Sequence, residues 1–225
     1  MGDVVIELRD IIKTYNEGRE NELRVLNGVS LKFRKGEITT VMGPSGSGKT
    51  TLLDIMGCLM RPTSGTVVID GADTRNLSDD GLARIRREKI GFIFQTFNLI
   101  ASLTAEENVA LAMRIAGTGR AEAKKRSGKL LELVGLGKRL SHKPTELSGG
   151  EQQRVAVARS LANDPRIVLG DELTGNLDSK TSAKVMELLK HLNKTKGYTF
   201  VLVTHDPDLK KYTDRTINLV DGEVV

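Results

Sequence analysis

Eight residues near the start of the chain have the types and spacing of a phosphate-binding loop. Residues 43–50 read Gly-Pro-Ser-Gly-Ser-Gly-Lys-Thr, which fits the pattern G-x-x-x-x-G-K-[ST]. Glycines let the backbone curl so that its N–H groups point at an anion, and the helix that follows adds partial positive charge. Lys49 can reach the β- and γ-phosphates, and the Thr50 hydroxyl can ligate Mg²⁺. The pattern predicts that the chain binds a nucleoside triphosphate.

The flanks of this loop support the same interpretation. The apolar stretch Ile38–Met42 comes before it and the helix-compatible stretch Thr51–Leu59 follows, as a loop between a strand end and a helix start requires. A glycine-rich turn that matches by chance is the alternative, and the flanks disfavour it. The residues predicted to contact the nucleotide from this segment are Gly43, Pro44, Ser45, Gly46, Ser47, Gly48, Lys49, Thr50 and Thr51.

An acidic pair follows a second apolar segment. Ile167–Leu169 leads into Gly170, Asp171 and Glu172, and an apolar strand that ends in two acids is the Walker B pattern. Asp171 can hold Mg²⁺, usually through water, opposite Thr50. Glu172 is then placed to polarise an attacking water. A polar strand end that enters a turn is the alternative, and the phosphate loop elsewhere in the chain favours the catalytic interpretation.

A second helix start also has the features of an anion site. Ser148-Gly149-Gly150-Glu151 precedes a helix predicted over Gln152–Ala162. Ser148 and Glu151 have capping-box spacing, and the glycines between them leave backbone N–H groups uncovered at the helix N-terminus. A capped helix start without a ligand is the simpler explanation. It leaves open why one chain should carry two such helix starts.

Taken together, the motifs resemble those of ATP-binding cassette (ABC) ATPases. Leu-Ser-Gly-Gly-Glu-Gln-Gln-Arg at 147–154, between the phosphate loop and the acidic pair, is similar to the family's signature sequence. Four further residues match other family motifs: Tyr15 the adenine-stacking A-loop, Gln95 the Q-loop, Asp178 the D-loop and His205 the switch histidine. Each match alone is weak, but their order and spacing agree over essentially the whole chain.

The resemblance implies that a second copy of the chain completes the site. Two cassettes pair head to tail, so that the signature of one faces the ATP on the phosphate loop of the other. The residues implied to contact the partner's ATP are Ser148, Gly149, Gly150, Glu151 and Asp178. ATP and Mg²⁺ are the implied cofactors, and the implied residues at the metal are Thr50, Gln95 and Asp171. The implied catalytic residues are Lys49, Glu172 and His205.

A membrane partner is implied as well. Transport ATPases of this family power a separate permease, which would dock near Gln95. The segments Gly91–Leu99 and Thr174–Asp178 resemble the group of macrolide exporters, lipoprotein-release systems and the cell-division cassette. The apolar residues beside Gln95 either line a docking groove or pack in the core, and they are Phe94, Phe97, Leu99 and Ile100.

Two residues depart from the family pattern. Leu173 stands where Pro usually follows the acidic pair, and Gly170 stands where Ala is common. Neither departure removes a ligand. Leu in place of Pro loosens the backbone of the turn and adds an N–H donor, so it affects the placement of Glu172.

The predicted fold is α/β: a P-loop NTPase (RecA-like) core with an antiparallel β lobe and an inserted helical subdomain at about 96–162, all in one domain over 1–225. Val29–Phe33 alternates as a half-exposed antiparallel strand does, whereas three more continuously apolar stretches suit a parallel sheet. The other predicted strands are Val4–Leu8, Ile38–Met42, Thr66–Asp70, Gly91–Phe94, Ile167–Leu169, Thr199–Val203 and Thr216–Val220. Further helices are expected from Ser78 to about Lys89, from Thr104 to about Ala116, over Arg120–Val134, and from Asp178 or Ser179 to about Lys194.

The composition of the chain disfavours some partners and cellular locations. The 225 residues carry a net charge of +5, which is mild and spread out, so no nucleic-acid partner is expected. The chain has no apolar run of about 18 residues and no signal-like start, and its one cysteine, Cys58, is predicted to be a buried small hydrophobe. These features predict a cytoplasmic protein, held at the inner face of the membrane through the permease.

Two other kinds of function were weighed. A soluble cassette ATPase for a process such as iron–sulfur cluster assembly is the main alternative, and it fits the Gln95 region less well. ATPases of the DNA-repair type need a long coiled-coil insertion, for which the segment from Thr51 to Leu147 has no room. Translation-type ATPases carry two cassettes, and this sequence has one set of motifs.

Overall fold

The structure, a computed structural model, describes residues 3–225. Its ten strands are β1 (Val4–Tyr15), β2 (Leu23–Arg34), β3 (Ile38–Met42), β4 (Ser64–Ile69), β5 (Ala72–Asp73), β6 (Ile90–Ile93), β7 (Ile167–Asp171), β8 (Phe200–Thr204), β9 (Arg215–Val220) and β10 (Glu223–Val224). Its six α-helices are α1 (Lys49–Met56), α2 (Asp79–Lys89), α3 (Ala105–Ile115), α4 (Arg120–Leu133), α5 (Gly149–Ser160) and α6 (Ser179–Lys196). Two short 3₁₀ helices span Pro144–Glu146 and Pro207–Tyr212.

A four-stranded antiparallel sheet in the order β2-β1-β4-β5 forms the predicted β lobe. The alternation over Val29–Phe33 is confirmed, since Val29, Leu31 and Phe33 are buried while Ser30 and Lys32 are exposed. The β1–β2 pair extends well beyond the predicted segments, to Tyr15 on β1 and Leu23 on β2. Register shifts interrupt the alternation on which the prediction relied.

The second sheet has six strands in the order β10-β9-β3-β8-β7-β6. Five of these strands, from β9 to β6 in that order, are parallel, and β10 pairs with β9 as an antiparallel edge. All five residues of β3 and of β8 are buried, as expected for strands covered on both faces. This confirms the predicted parallel core, and it brings the carboxyl ends of β3, β7 and β8 to one edge of the sheet, where ligands bind in open α/β sheets.

The helix signals read from the sequence are also confirmed. Ser78 caps α2, and Thr104 with Glu107 forms the capping box of α3. Asp178 caps α6, accepting hydrogen bonds from Thr181. Helices α3, α4 and α5 lie between β6 and β7 in the chain and share one core cluster. That residues 96–162 behave as a subdomain within a single domain over 1–225 stays a prediction.

Candidate active site

The phosphate loop joins β3 to α1. The Gly48 backbone has φ 95° and Gly46 has φ 81°, both in the left-handed region where glycine is unstrained. A Cβ on Gly43 would collide with the Leu219 carbonyl oxygen, so only glycine fits where the loop leaves the sheet. The local sequence thus sets the curled backbone, which directs N–H groups and the helix N-terminus outward.

The ammonium of Lys49 is held inside this loop. Its Nζ donates to the carbonyl oxygens of Gly43 and Pro44 at 2.9 and 2.6 Å, and lies 3.5 Å from Ser47 Oγ. Lys49 is only 7 % exposed. The direct contacts of this ammonium are neutral oxygens, so a phosphate entering the loop would supply a countercharge in contact with it.

Glu172 and His205 lie against the phosphate loop. His205 Nδ1 is 2.8 Å from Glu172 Oε1, and because a carboxylate only accepts, the imidazole donates this hydrogen bond. The two side chains line a cavity of about 610 Å³ together with loop residues that include Lys49 and Thr50. Glu172 has φ 41° and its N–H donates to the Val203 carbonyl at 2.9 Å, which fixes the carboxylate beyond the strand end. The structure thus unites the three residues predicted to be catalytic.

Asp171 has the features of a cation ligand. Its Oδ1 is buried and has no hydrogen-bond partner among the described residues. Burial raises the pKa of this carboxyl, the charges of Glu172 and Asp54 raise it further, and Lys49 lowers it. An orphaned carboxylate oxygen amid other acids fits a bound Mg²⁺, which prefers oxygen ligands. Thr50 is exposed at the cavity.

The two residues that depart from the family pattern, Gly170 and Leu173, pack against each other. Leu173 is 2 % exposed, and a Cβ on Gly170 would lie 2.9 Å from its Cδ2 and 2.9 Å from Leu202 Cδ2. The larger Leu173 side chain therefore occupies space that an alanine at position 170 would need. The sequence showed both departures but could not show that they pack together.

We expect Gly170→Ala to lower the free energy of unfolding by about 1–3 kcal/mol, because the added methyl overpacks the core beside Leu173. In a Leu173→Ala background the same change should cost clearly less, since that background removes one of the two clashing methyl groups. Urea unfolding of the two single variants and the double variant measures the coupling. An equal cost in both backgrounds would show that the two sites are not coupled.

Tyr15 ends β1 beside the phosphate loop. Its hydroxyl lies 3.2 Å from Thr51 Oγ1 and donates to Met60 Sδ at 3.3 Å. The Lys13 Nζ lies 5.2 Å from the centroid of the ring. The ring is thus anchored at the edge of the nucleotide cavity, although it is not among the residues that line the cavity itself.

The signature segment begins α5 as predicted but lies outside this cavity. Ser148 is the N-cap and forms the capping box with Glu151. A Cβ on Gly150 would collide with Thr181 Cγ2, so α5 packs against α6 at that point. Asp178, which caps α6, also lies outside the cavity. Ser148 is exposed, Gly149 is half-buried and Gly150 is buried, and neither helix start lines the chain's own phosphate-loop cavity.

Gln95 follows β6 and lies against the turn after the acidic pair. A Cβ on Gly175 would be 2.7 Å from Gln95 Nε2, and Asn176 Nδ2 donates to the Gln95 carbonyl at 2.9 Å. The side chain does not line the phosphate-loop cavity. The predicted metal contact of Gln95 stays a prediction.

Three residues of the site were missed from the sequence. Leu23 and Val25 of β2 line the cavity, and Leu23 is 60 % exposed. Asp54, one turn after Thr50 on α1, lies near enough to Asp171 to raise its pKa. No pattern in the sequence marked Leu23 or Val25, because the predicted strand began only at Val29.

Comparison with known proteins agrees with this fold. The family model described as "ABC transporter" matches residues 26–175. The chain is 52 % identical to the uncharacterised ABC transporter ATP-binding protein MJ0796 of Methanocaldococcus jannaschii, covering 98 % of this chain and 95 % of that one. A dimeric structure described as a post-hydrolysis state of MJ0796 bound to ADP and Pi superposes with a TM-score of 0.87 at 49 % identity, covering 97 % and 96 % of the two chains.

Relatives with functional names are of two kinds, lipoprotein-releasing and macrolide-export proteins. The chain is 48 % identical to the lipoprotein-releasing system ATP-binding protein LolD 1 of Rhodopseudomonas palustris, over 98 % of each chain. It is also 48 % identical to the macrolide export ATP-binding/permease protein MacB of Marinobacter nauticus, where it covers 98 % of this chain but only 34 % of that protein. The chain therefore belongs to the ABC transporter family, as one of its ATP-binding and ATP-hydrolysing cassettes.

Proposed function

We propose that the chain hydrolyses ATP in the cavity between the phosphate loop and the β7 and β8 strand ends, and that the energy drives a separate membrane permease. The observation that carries the proposal is the convergence of Lys49, Glu172 and His205 on one cavity. Lys49 would move from the loop carbonyls to the phosphates. Glu172 would accept a proton from the attacking water, and His205 would orient that carboxylate.

Mg²⁺ is the metal that this arrangement fits. Asp171 with its unpartnered oxygen, the Thr50 hydroxyl and Gln95 are the residues that would hold it. The ion would neutralise charge on the phosphates. Leu23 and Val25 line the cavity and would contact the base. Tyr15, whose hydroxyl lies beside Thr51 at the cavity edge, would stack on the adenine.

A second copy of the chain would complete the site. The start of α5 lies outside the chain's own nucleotide cavity, and Asp178 caps the neighbouring helix α6. The signature residues at this helix start are Ser148, Gly149, Gly150 and Glu151. A head-to-tail pair would place the signature over the partner's γ-phosphate. ATP would then hold the two copies together, and its hydrolysis would release them.

The permease would dock in a groove beside the Gln95 loop, here called the Ile115 groove. This cavity of about 460 Å³ has an apolar floor formed by Leu59, Phe92, Phe94 and Ile115, and its cationic members are Arg86, Arg87 and Arg159. Leu59 is 50 % and Ile115 is 66 % exposed. No acidic side chain of the described residues lines it. A partner segment with apolar residues and a carboxylate matches this surface.

Arg159 links the Ile115 groove to the Gln95 loop and to helix α5. Its guanidinium donates to the carbonyl oxygens of Phe97 and Asn98, just after Gln95, and it stands on the signature helix α5. Burial lowers the pKa of Arg159. Of the apolar residues near Gln95, Phe94 lines the groove and Leu99 packs on the core. A segment docked here would touch both the Gln95 loop and the signature helix.

Transport is favoured over iron–sulfur assembly by the names of the relatives. No helix within residues 3–225 combines the length and apolar character needed to cross a bilayer. We propose that the protein lies in the cytoplasm and is held at the membrane by its permease.

We expect Ile115→Asp to reduce recovery of a co-purifying permease about tenfold, because a buried carboxylate replaces an apolar contact at the centre of a docking surface. The assay is affinity capture of the tagged chain from detergent-solubilised membranes of its source cells, with multispanning proteins identified by mass spectrometry. ATP affinity of the isolated chain should not change.

The matched control is Val224→Asp, the same change at a residue that is 42 % exposed on the β10 edge. It should leave permease recovery intact. Equal recovery with wild type and Ile115→Asp would contradict docking in the Ile115 groove.

A further inference from the structure

In the capping box of α5, the Ser148 hydroxyl already donates its one hydrogen to Glu151. Ser148 Oγ accepts from the Glu151 N–H at 3.3 Å and donates to Glu151 Oε2 at 2.9 Å. The Ser148 N–H donates to the same Oε2 at 2.9 Å. A hydroxyl has one hydrogen, so a hydroxyl that donates to a carboxylate offers only lone pairs to an arriving phosphate. The Glu151 charge also lies one hydrogen bond away from the proposed anion site and opposes it.

A cation from another segment offsets this charge. Arg139, in the loop after α4, donates from Nε to Glu151 Oε1 at 3.0 Å. Its Nη1 lies 3.2 Å from His142 Nε2, and since arginine has no acceptor, the imidazole accepts there. Arg139 is therefore held at both ends of its guanidinium, although 46 % of its side chain is exposed.

Exposed ion pairs contribute little to the stability of a fold. The Arg139–Glu151 pair would instead affect the binding of a second negative charge near Glu151. Hydrogen bonds from Ser148 lower the pKa of Glu151, and Arg139 lowers it further, so the carboxylate keeps its charge when a phosphate approaches. Without Arg139, the helix start would present an uncompensated carboxylate beside its N–H groups.

We propose that Arg139 is a positioning residue of the signature, which acts through Glu151 to let Ser148 and the α5 N-terminus receive the γ-phosphate of ATP bound to a second copy of the chain. The inference rests on the proposed function, because it needs the two copies to pair over ATP. It adds a residue outside the signature, nine positions before Ser148, that controls how tightly the copies pair.

The test is ATP-driven pairing in a Glu172→Gln background, where hydrolysis is expected to be blocked. We expect Arg139→Ala to raise the dimer dissociation constant about tenfold at low salt, because charge repulsion at a partly screened site is restored. Adding Glu151→Gln should remove that defect, since the amide has no charge. In that background Arg139→Ala should change the dissociation constant by less than about twofold. Analytical ultracentrifugation in saturating ATP measures all four proteins.

Four controls distinguish a positioning role of Arg139 from a structural one. Arg139→Lys keeps the charge and should retain most of the pairing. Lys138→Ala removes a neighbouring exposed cation and should have little effect. ATP affinity of the monomer, measured by calorimetry, should be the same for every variant, and raising the salt concentration should shrink the Arg139→Ala defect.

The outcomes are distinct. If Arg139→Ala weakens pairing by the same factor with and without the Glu151→Gln change, its role is structural and the proposal is overturned. Unchanged pairing in Arg139→Ala overturns it as well. If the Glu172→Gln parent itself does not pair, ATP does not hold two copies together. The proposed head-to-tail pair is then wrong, and this inference is wrong with it.

Discussion

Glu172→Gln should lower ATP turnover by about a hundredfold or more while ATP binding is kept. The amide has almost the same shape as the carboxylate and can still accept the His205 hydrogen bond, which is 2.8 Å long in this structure. It cannot take a proton from water. The measurement is steady-state phosphate release, with ATP affinity of the same protein determined by calorimetry.

The matched control is Glu187→Gln, the same chemical change on the exposed side of α6. This variant should hydrolyse ATP at the wild-type rate. Turnover in Glu172→Gln close to that of the control would show that the carboxylate at the end of β7 is not the base.

Lys49→Ala should weaken ATP binding roughly 10- to 100-fold, as loss of charge-assisted contacts to phosphate predicts. Lys49 also braces the loop through the carbonyls of Gly43 and Pro44, so part of the loss would come from a looser loop. Calorimetry with ATP measures the affinity. Thermal unfolding of the variant without ATP measures how much the Lys49 contacts with the loop carbonyls stabilise the protein.

Ser47→Ala serves as the comparison, because it removes only the weakest of the Lys49 contacts, at 3.5 Å. The Ser47 side chain is buried and does not line the cavity, so the predicted nucleotide contact of Ser47 would come from its backbone, which this variant keeps. Its ATP affinity should stay near wild type. Unchanged affinity in Lys49→Ala would argue against phosphate binding at this loop.

Much of the site was predictable because its chemistry is local in sequence. The phosphate loop and the Asp171-Glu172 pair each lie within a few residues, and each follows a buried parallel strand, so chain connectivity alone brings them to the same sheet edge. The capping residues Ser78 and Thr104 were equally readable, because a cap depends on a spacing of three residues.

The features that were missed depend on contacts between distant segments. Leu23 and Val25 reach the cavity only because β2 extends beyond its alternating half. Arg139 meets Glu151 through the loop after α4, and no periodic pattern marks an exposed ion pair. The Gly170–Leu173 contact is a matter of packing volume, which spacing does not encode.

The phosphate loop alone would suit many nucleotide-binding proteins. The Ser148 helix start lies outside the chain's own nucleotide cavity. It is therefore available to contact ATP that is bound to a second copy of the chain.

The most direct test is the molar mass of the Glu172→Gln variant by light scattering, with and without ATP and Mg²⁺. We expect 24.6 kDa without nucleotide and twice that mass with ATP. Adding Ser148→Arg, which places a bulky side chain at the start of α5, should keep the mass at 24.6 kDa in ATP. A Glu172→Gln protein that stays monomeric in saturating ATP, or one that pairs equally well with Ser148→Arg, would contradict a nucleotide site shared between two copies.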